Sequence, residues 1–325
     1  MFDIITFGSA TQDVFMSSKN LKVVEGEQFD TKKGICVSIG SKIEMDEVAF
    51  FIGGTGANTA VTFARQGFKT AYHGLIGKDY AGQGIKNEFK KHGVSLKLLK
   101  EIDINTAFSV ILSLPSLDRS ILKKLGACHF MTKKDIDFKK LKTKWIYLGS
   151  LSGQAHKIIE PLIDFAHKKG IKIAANPVGT SQLGIGLEKL KSLLNKMNIL
   201  IVNQEEASRI TGLDYSDEKK VFKKLDEMVD GIVVVTKGPE GLTASDGKNL
   251  YLAGIPKSGL IDRTGAGDAF ASGFVSAWMN KQDIVHAIQL GTANATAVLQ
   301  EFGATNGLLK KGDFGPWEKV KVKKI

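Results

Sequence analysis

Cysteine, arginine and long apolar runs are scarce in this chain of 325 residues, and each scarcity excludes a class of protein. The two cysteines, Cys36 and Cys128, lie far apart and belong to no C-x-x-C pair, so we expect two reduced structural thiols. No apolar run reaches the roughly 18 residues that span a bilayer, and the first residues lack a signal-peptide pattern. The sequence therefore predicts a cytoplasmic protein that has no membrane partner.

Several well-known catalytic signatures are also missing. The sequence contains no G-x-x-x-x-G-K-[ST] loop, no H-R-D and D-F-G pair, no G-x-S-x-G elbow and no H-E-x-x-H helix. The six histidines show no spacing typical of metal ligands. If the protein transfers phosphoryl groups, it must use a different architecture from that of P-loop enzymes and protein kinases.

The formal net charge of +11 comes mostly from lysine. Such an excess can indicate nucleic-acid binding, but the lysines are dispersed over predicted helix faces and no zinc-finger, RNP or KH signature is present. The densest cluster lies in the tail at 319–324. Attraction of anionic substrates such as nucleotides is a sufficient use for this charge, so we predict no nucleic-acid partner.

The chain changes its pattern at about residue 140. Beyond that point, short runs of Val, Ile and Leu alternate with helical segments, which indicates a mostly parallel sheet covered by helices. Before it, 15–50 and 107–130 contain short strand-like pieces with turns, including Pro115-Ser116-Leu117-Asp118. In parallel α/β sheets, ligands bind beyond the carboxyl ends of the strands, so the segments that follow the strands are the candidates for a site.

The strongest candidate is Asp262-Arg263-Thr264-Gly265-Ala266-Gly267-Asp268. Phe270, Phe274 and Trp278 follow at helical spacing, so Gly265-Ala266-Gly267 would lie at a helix N-terminus, where unpaired N–H groups bind anions. Asp268 would then stand beside an anion hole, as a base for phosphoryl transfer requires. The structural alternative is a glycine-rich helix start with Asp as a favoured N-terminal residue.

Three further segments follow strand-like runs, and each has a structural alternative. Gly53-Gly54-Thr55-Gly56-Ala57-Asn58 opens a helix either as a tight turn or as a surface where a polar ligand approaches the backbone. Asn203 and Glu206 form either a helix cap or a water-mediated Mg²⁺ and phosphate site. Thr236, Gly238 and Gly241 form either a strand-ending turn or a nucleotide contact. Asp13 and Asn176 also follow strand-like runs, where each is either a turn residue or a ligand.

Together these segments resemble, in chain order, the ribokinase-like (PfkB) carbohydrate kinase family. The resemblance covers about residues 3–310 and implies one kinase domain over 1–325 with a Rossmann-like sheet. It also implies a small β lid, which corresponds to about 15–50 and 107–130. Softer matches to the family are Gly74-Leu75-Ile76-Gly77-Lys78-Asp79 and Asp118-Arg119-Ser120-Ile121-Leu122.

The resemblance also implies a role for individual residues. Asp268 would be the catalytic base, beside an anion hole of Gly265, Ala266 and Gly267. Substrate hydroxyls would bind Asp13, Gly53, Gly54 and Asn58. ATP would contact Asn176, Asn203, Thr236, Gly238, Gly241 and, at the adenine, Asn294. Glu206 and Asn203 would organise Mg²⁺ through water. Many members bind a monovalent cation such as K⁺ near this loop, and Asp262 and Thr264 mark where it would lie.

The identity of the acceptor stays open. Ribokinases usually carry Lys where this chain has Thr55. A Thr or Ser at this position makes the segment resemble that of nucleoside-kinase-like members. Lys123, Lys124 and Arg119 lie near the predicted lid, but the sequence does not tell their direction. We predict an unphosphorylated sugar as acceptor, with a nucleoside as the alternative. A catalytically silent binding protein is a third hypothesis, and a homodimer formed through the lid is expected from the family.

Overall fold

The computed structural model describes residues 1–29, 31–114, 119–176 and 187–325. The turn predicted at Pro115-Ser116-Leu117-Asp118 lies outside the described residues. Among the helices described, none is both long and apolar enough to cross a bilayer.

The described residues form strands and helices that alternate over most of the chain. The strands are β1 (Phe2–Phe7), β2 (Thr11–Ser17), β3 (Lys22–Glu25), β4 (Lys33–Cys36), β5 (Glu47–Gly53), β6 (Thr70–Gly77), β7 (Leu99–Ile102), β8 (Ala107–Ser113), β9 (Ser120–Lys124), β10 (Thr143–Leu148), β11 (Lys172–Ala175), β12 (Ile199–Asn203), β13 (Ile232–Thr236), β14 (Leu242–Ser245), β15 (Leu250–Ala253) and β16 (Val322–Lys324). The helices are α1 (Thr55–Arg65), α2 (Tyr80–Lys91), α3 (Ile159–Lys168), α4 (Leu187–Leu194), α5 (Gln204–Thr211), α6 (Glu218–Asp226), α7 (Ala266–Lys281) and α8 (Ile284–Val298).

A ten-stranded sheet runs through the molecule in the order β16-β15-β14-β13-β12-β11-β10-β1-β6-β7. The seven strands from β13 to β7 are parallel, whereas β14, β15 and β16 pair antiparallel at one end. The predicted α/β fold with a mostly parallel sheet is therefore confirmed. Since parallel strands end at the same edge, the loops that follow them converge there.

Helices cover both faces of this sheet. In β1, the adjacent residues Ile4 and Ile5 point to opposite faces, and both are fully buried. Ile5 packs in a core with residues from α3, α4, α5 and α6, whereas Ile4 packs in a second core with residues from α1, α7 and α8. A strand that is apolar at successive positions needs such a three-layer arrangement, because each face must be covered.

A separate small sheet stands beside the large one. Its strand order is β5-β2-β8-β9, and β2 pairs antiparallel with β5 but parallel with β8. This sheet occupies the two regions that the sequence set apart, although it begins at Thr11 and extends to Gly53. Asp13 lies inside β2. The alternative interpretation of Asp13 as a turn residue is therefore wrong. Residues 127–130 form a 3₁₀ turn whose Ala127 packs in the large core.

Candidate active site

The N-termini of α1 and α7 meet beside the carboxyl edge of the large sheet. The side-chain amide of Asn58 on α1 donates a hydrogen bond of 2.8 Å to Oδ2 of Asp268 on α7. Both side chains are buried, with 5% and 8% of their surface exposed. Two of the sequence-predicted site residues, 210 positions apart in the chain, are therefore in direct contact.

Asp268 has the properties of a general base. Burial raises its pKa from 3.8 to about 6; the hydrogen bond from Asn58 opposes this rise, and the negative charge of Glu206 adds to it. Oδ1 of Asp268 is buried and has no hydrogen-bond partner among the residues described. One oxygen is thus held in place while the other can accept a proton, and a pKa near neutrality is what general base catalysis favours.

The N-terminus of α7 provides backbone donors next to this carboxylate. No side chain caps the helix, and in the described part of the chain the N–H groups of Gly267 and Asp268 have no acceptor. Gly265 adopts φ 80°, and a Cβ there would lie 2.4 Å from Cβ of Ala304. At Gly267, in contrast, a Cβ would meet no atom within 4 Å. The helix start is therefore open on the side of Gly267, where an anion can approach.

The turn before α1 brings the small sheet close to this site. A Cβ at Gly53 would lie 1.9 Å from Oδ2 of Asp13, so only glycine leaves room for that carboxylate. Asp13 is buried; its Oδ1 accepts a hydrogen bond of 2.9 Å from Thr11, and burial raises its pKa. Gly54 adopts φ 91°, with the backbone of Ser9 against it. This arrangement holds a carboxylate of β2 near the start of α1, where Asn58 lies.

Thr55, the departure from the ribokinase pattern, points away from the small sheet. Its Oγ1 accepts a hydrogen bond of 2.8 Å from the backbone N–H of Ser150, and its own N–H donates to Oγ of Ser9. A Cβ at Gly149 would lie 2.5 Å from this hydroxyl oxygen, so the side chain fits tightly against the end of β10. The hydroxyl of Thr55 therefore joins the first turn of α1 to the large sheet, and its residue type does not by itself identify the acceptor.

Asn203 and Glu206 cap α5. The Asn203 side chain accepts from the N–H of Glu206 at 2.8 Å, and Oε2 of Glu206 accepts from the N–H of Asn203 at 2.9 Å. The negative charge of Glu206 also contributes to the raised pKa of Asp268. The capping box is thus formed, and the predicted role of this pair toward Mg²⁺ stays a prediction.

The loop before Gly265 is stabilised by Asp262. Oδ1 accepts from both the N–H and the hydroxyl of Thr264, at 2.9 and 2.8 Å, and Oδ2 accepts from the N–H of Gly303 at 3.2 Å. The hydrogen bond to Gly303 therefore holds the segment after α8 against this loop, where the cation is predicted to lie. Both carboxylate oxygens already have protein donors, and the cation itself stays a prediction.

Four of the residues predicted to contact the nucleotide follow β11 or end and follow β13: Asn176, Thr236, Gly238 and Gly241. Asn176 donates to the backbone oxygen of Ile201 at 2.7 Å, and its buried Oδ1 has no partner within the described ranges. Gly238 has a φ of 54° and is open, whereas a Cβ at Gly241 would lie 2.0 Å from the backbone oxygen of Ala253. The turn after Thr236 thus needs glycine at 241 for its own geometry and leaves a free surface at 238.

Asn294, the residue predicted to lie by the adenine, lies within α8. It is fully buried; its Nδ2 donates to the backbone oxygen of Ala269 at 2.8 Å, and its Oδ1 accepts from the N–H of Leu309 at 2.9 Å. These bonds join α8 to α7 and to the C-terminal segment. Both polar atoms of Asn294 thus have protein partners, and its predicted contact with adenine stays a prediction.

Comparison with known proteins places this site in a family context. A family model described as pfkB family carbohydrate kinase matches residues 27–311. The ribokinase of Haemophilus influenzae is 30% identical over 273 residues, which cover 79% of this chain and 83% of that protein. The ATP-dependent 6-phosphofructokinase of Thermoanaerobacterium thermosaccharolyticum is 24% identical over 277 residues, or 83% of this chain and 85% of that one.

The solved structure of Arabidopsis thaliana ribokinase complexed with ribose and ATP aligns with a TM-score of 0.78 at 21% identity. The alignment covers 97% of each chain. At this identity the likeness shows that the two proteins share a fold over nearly their whole lengths.

Proposed function

The chain belongs to the pfkB family of carbohydrate kinases, whose model matches residues 27–311, and from this premise we propose that it transfers the γ-phosphate of ATP to a hydroxymethyl group of a small sugar. Asp268 is the general base. The observation that carries this proposal is the buried pair of Asn58 and Asp268, joined at 2.8 Å next to the open N-terminus of α7.

The proposed step uses the two oxygens of Asp268 differently. Oδ2 is held by Asn58, and Oδ1 accepts the proton of the acceptor hydroxyl as its oxygen attacks the γ-phosphorus. The bond between that phosphorus and the bridging oxygen breaks, and ADP leaves with the bonding electrons. The N–H groups of Gly267 and Asp268 stabilise the charge on the phosphoryl oxygens, because they are aimed at it without reorganisation.

Magnesium fits the chemistry of the donors near this site. Mg²⁺ prefers oxygen ligands and is usually held by one or two carboxylates, water and substrate phosphates. Glu206 and Asn203 supply such oxygens, and no group of three or more His, Cys, Asp or Glu side chains that could hold a metal by themselves occurs in the described residues. When bound, Mg²⁺ would neutralise phosphate charge. Thr236, Gly238 and Asn176 would contact the nucleotide, and Asp262 and Thr264 would border a K⁺ site.

The proposal is tested by ATP turnover of the purified protein with Mg²⁺, with and without K⁺. The acceptors are neutral sugars, sugar phosphates, sugar acids and nucleosides. Turnover of a sugar supports the proposal, and turnover of nucleosides alone supports the alternative acceptor class. If no acceptor is phosphorylated while ATP or a sugar still binds, the protein is a catalytically silent binding protein and the proposal is wrong.

The pH dependence of kcat/KM is expected to show an acid limb with an apparent pKa of about 6. Asp268 must be deprotonated to accept the hydroxyl proton, and its pKa is raised to about 6, so activity falls as the pH drops through this value. Because Asn58 lowers the pKa of Asp268, Asn58→Ala should move the limb to higher pH. A limb at the same pH in both proteins would assign it to another group, such as the nucleotide.

The small sheet is proposed to act as a lid over the acceptor and as the interface of a homodimer. On the face opposite Asp13, the register places Phe50, Val14, Val110 and Leu122 in one row across the four strands. Phe50 and Leu122, at its two ends, are 67% and 61% exposed, and a second copy would cover them. Sedimentation velocity at micromolar concentration tests this assembly, and a monomer there would contradict it.

The proposed location is the cytoplasm. It rests on the proposed use of ATP and on Cys36 and Cys128, which are both free thiols and fit a reducing compartment.

A further inference from the structure

A row of three polar side chains crosses the face of the small sheet that carries Asp13. Asp13 on β2 lies directly opposite Ser109 on β8, and Ser109 lies directly opposite Lys123 on β9. Directly opposite residues project from the same face of a sheet. The chain therefore presents a carboxylate, a hydroxyl and an ammonium group in line, with about two strand spacings, or about 10 Å, between the first and the last.

This face looks toward the candidate active site. Phe15, on the same face as Asp13, contacts Phe302 in the segment after α8, with ring centroids 6.4 Å apart. Gly303 lies against the ring of Phe51, and the charge of Asp262 is close enough to raise the pKa of Asp13. The small sheet thus covers the loop that leads to Gly265, and the row lies along the space between the two sheets.

Lys123 is free to bind a ligand. Its side chain is exposed, and it takes part in no ion pair within the part of the chain that the structure describes. Asp13 lies on the same face but makes no ion pair with it among the described residues; Oδ1 of Asp13 accepts a hydrogen bond from the hydroxyl of Thr11. The charge of Lys123 opposes the rise that burial causes in the pKa of Asp13, in agreement with the register that places both residues on one face.

The charges of the residues around the site indicate a role for Lys123. Asp13, Asp262, Asp268 and Glu206 together repel an anionic acceptor. On the Asp13 face of β2, β5, β8 and β9, Lys123 is the only Lys or Arg that these strands place. A neutral sugar would need no ammonium group there, whereas an acceptor with an anionic end would need one on the side away from Asp268.

Building on the proposed kinase activity, we infer that the acceptor carries a phosphate or a carboxylate and that Lys123 binds this anionic group. Asp13 and Ser109 would hold the hydroxyls between the anionic end and the reacting hydroxymethyl group. This inference replaces the unphosphorylated sugar that the sequence alone favoured, because the strand register supplies the direction of Lys123.

The same strand provides a matched control. An exposed lysine on an edge strand is often present only to prevent pairing with other chains, and β9 is an edge strand. Lys124 is the next residue, is equally exposed, and projects from the opposite face. Replacing either lysine removes the same charge from the same strand, but only Lys123 faces the site.

The experiment measures kcat/KM for pairs of acceptors that differ only in charge: a hexose with its monophosphate, and an aldose with its sugar acid. We expect the wild type to prefer the anionic member of one pair. Lys123→Ala should lower kcat/KM for that member by about 10- to 100-fold, mainly through KM, because it removes a charge-assisted hydrogen bond. Lys124→Ala and the KM for ATP should stay at wild-type values.

The outcomes separate the inference from the activity on which it rests. Efficient turnover of neutral sugars only, or equal effects of Lys123→Ala and Lys124→Ala, would leave the kinase proposal intact and overturn the role of Lys123. If no acceptor is turned over, the affinity for the hexose monophosphate and for the sugar acid, measured by calorimetry, decides the matter. Tighter binding to wild type and Lys124→Ala than to Lys123→Ala supports the inference, and equal or absent binding overturns it.

Discussion

Replacement of Asp268 by Asn is expected to lower kcat by at least about a hundredfold. The amide has nearly the same shape and can still accept the hydrogen bond from Asn58, which is 2.8 Å long in the wild type, but it cannot take a proton from the acceptor hydroxyl. The KM values for both substrates should change little, because binding does not depend on the base. Steady-state kinetics with the acceptor found in the panel measure this effect.

A matched control is Asp226→Asn. Asp226 is a half-buried carboxylate on α6 whose pKa is also raised by burial, and it bonds to Ser245 away from the site. We expect wild-type kcat from this variant. If Asp268→Asn kept most of the wild-type turnover, Asp268 would not be the base and the proposed mechanism would be wrong.

Asp268→Asn should also make the protein more stable. The pKa of Asp268 is raised from 3.8 to about 6 in the folded state, so the folded protein loses stability as the pH rises from about 4 to 6 and the carboxyl becomes charged. A neutral Asn avoids this cost, which is up to about 3 kcal/mol at 1.36 kcal/mol for each pKa unit. Urea unfolding should show a stabilised variant at pH 8 and little difference at pH 4.

Gly267→Ala is expected to reduce kcat/KM for ATP by about 10- to 1,000-fold while leaving the fold intact. A Cβ at this position meets no protein atom within 4 Å, and alanine is the better helix former, so stability should rise slightly or stay unchanged. The methyl group would, however, enter the space in front of the backbone donors of α7. Loss of a backbone donor of this type commonly lowers the reaction rate by a factor within this range.

Gly265→Ala is the informative comparison. There the added Cβ would lie 2.4 Å from Cβ of Ala304, and the backbone has φ 80°, so the change should lower the free energy of unfolding. A stable Gly267→Ala variant with wild-type kinetics would show that no phosphate approaches this helix start. Loss of stability without a kinetic defect would show that the space is needed for the fold instead.

The sequence predicted the large sheet and the start of α7 correctly for a physical reason. Strands buried on both faces are continuously apolar, and the glycines around Asp268 stand directly before a helix with clear periodicity, so local signals sufficed. Asn58 could be proposed from its glycine-rich turn, but its bond to Asp268 joins positions 210 residues apart and cannot be read locally.

The small sheet was the part that local signals could not resolve. Side chains of a strand alternate between faces, so an uncertainty of one residue exchanges the faces of Lys123 and Lys124. The register of β9 against β8 settles their direction. The partners of Thr55 and Asn294 could not be read from the sequence for a related reason, since a hydroxyl or amide in a motif looks the same whether its partner is a ligand or a distant backbone group.

The central position of β1 has a consequence for how the protein is made. Phe2–Phe7 leaves the ribosome long before its partner strand β10, because Thr143–Leu148 follow about 140 positions later. The contact between Asn58 and Asp268 forms later still, when α7 has been synthesised. Such a high contact order favours slow folding and prolonged exposure of apolar strands. The nascent chain should therefore depend on chaperones until α7 has emerged, and it should gain activity only then.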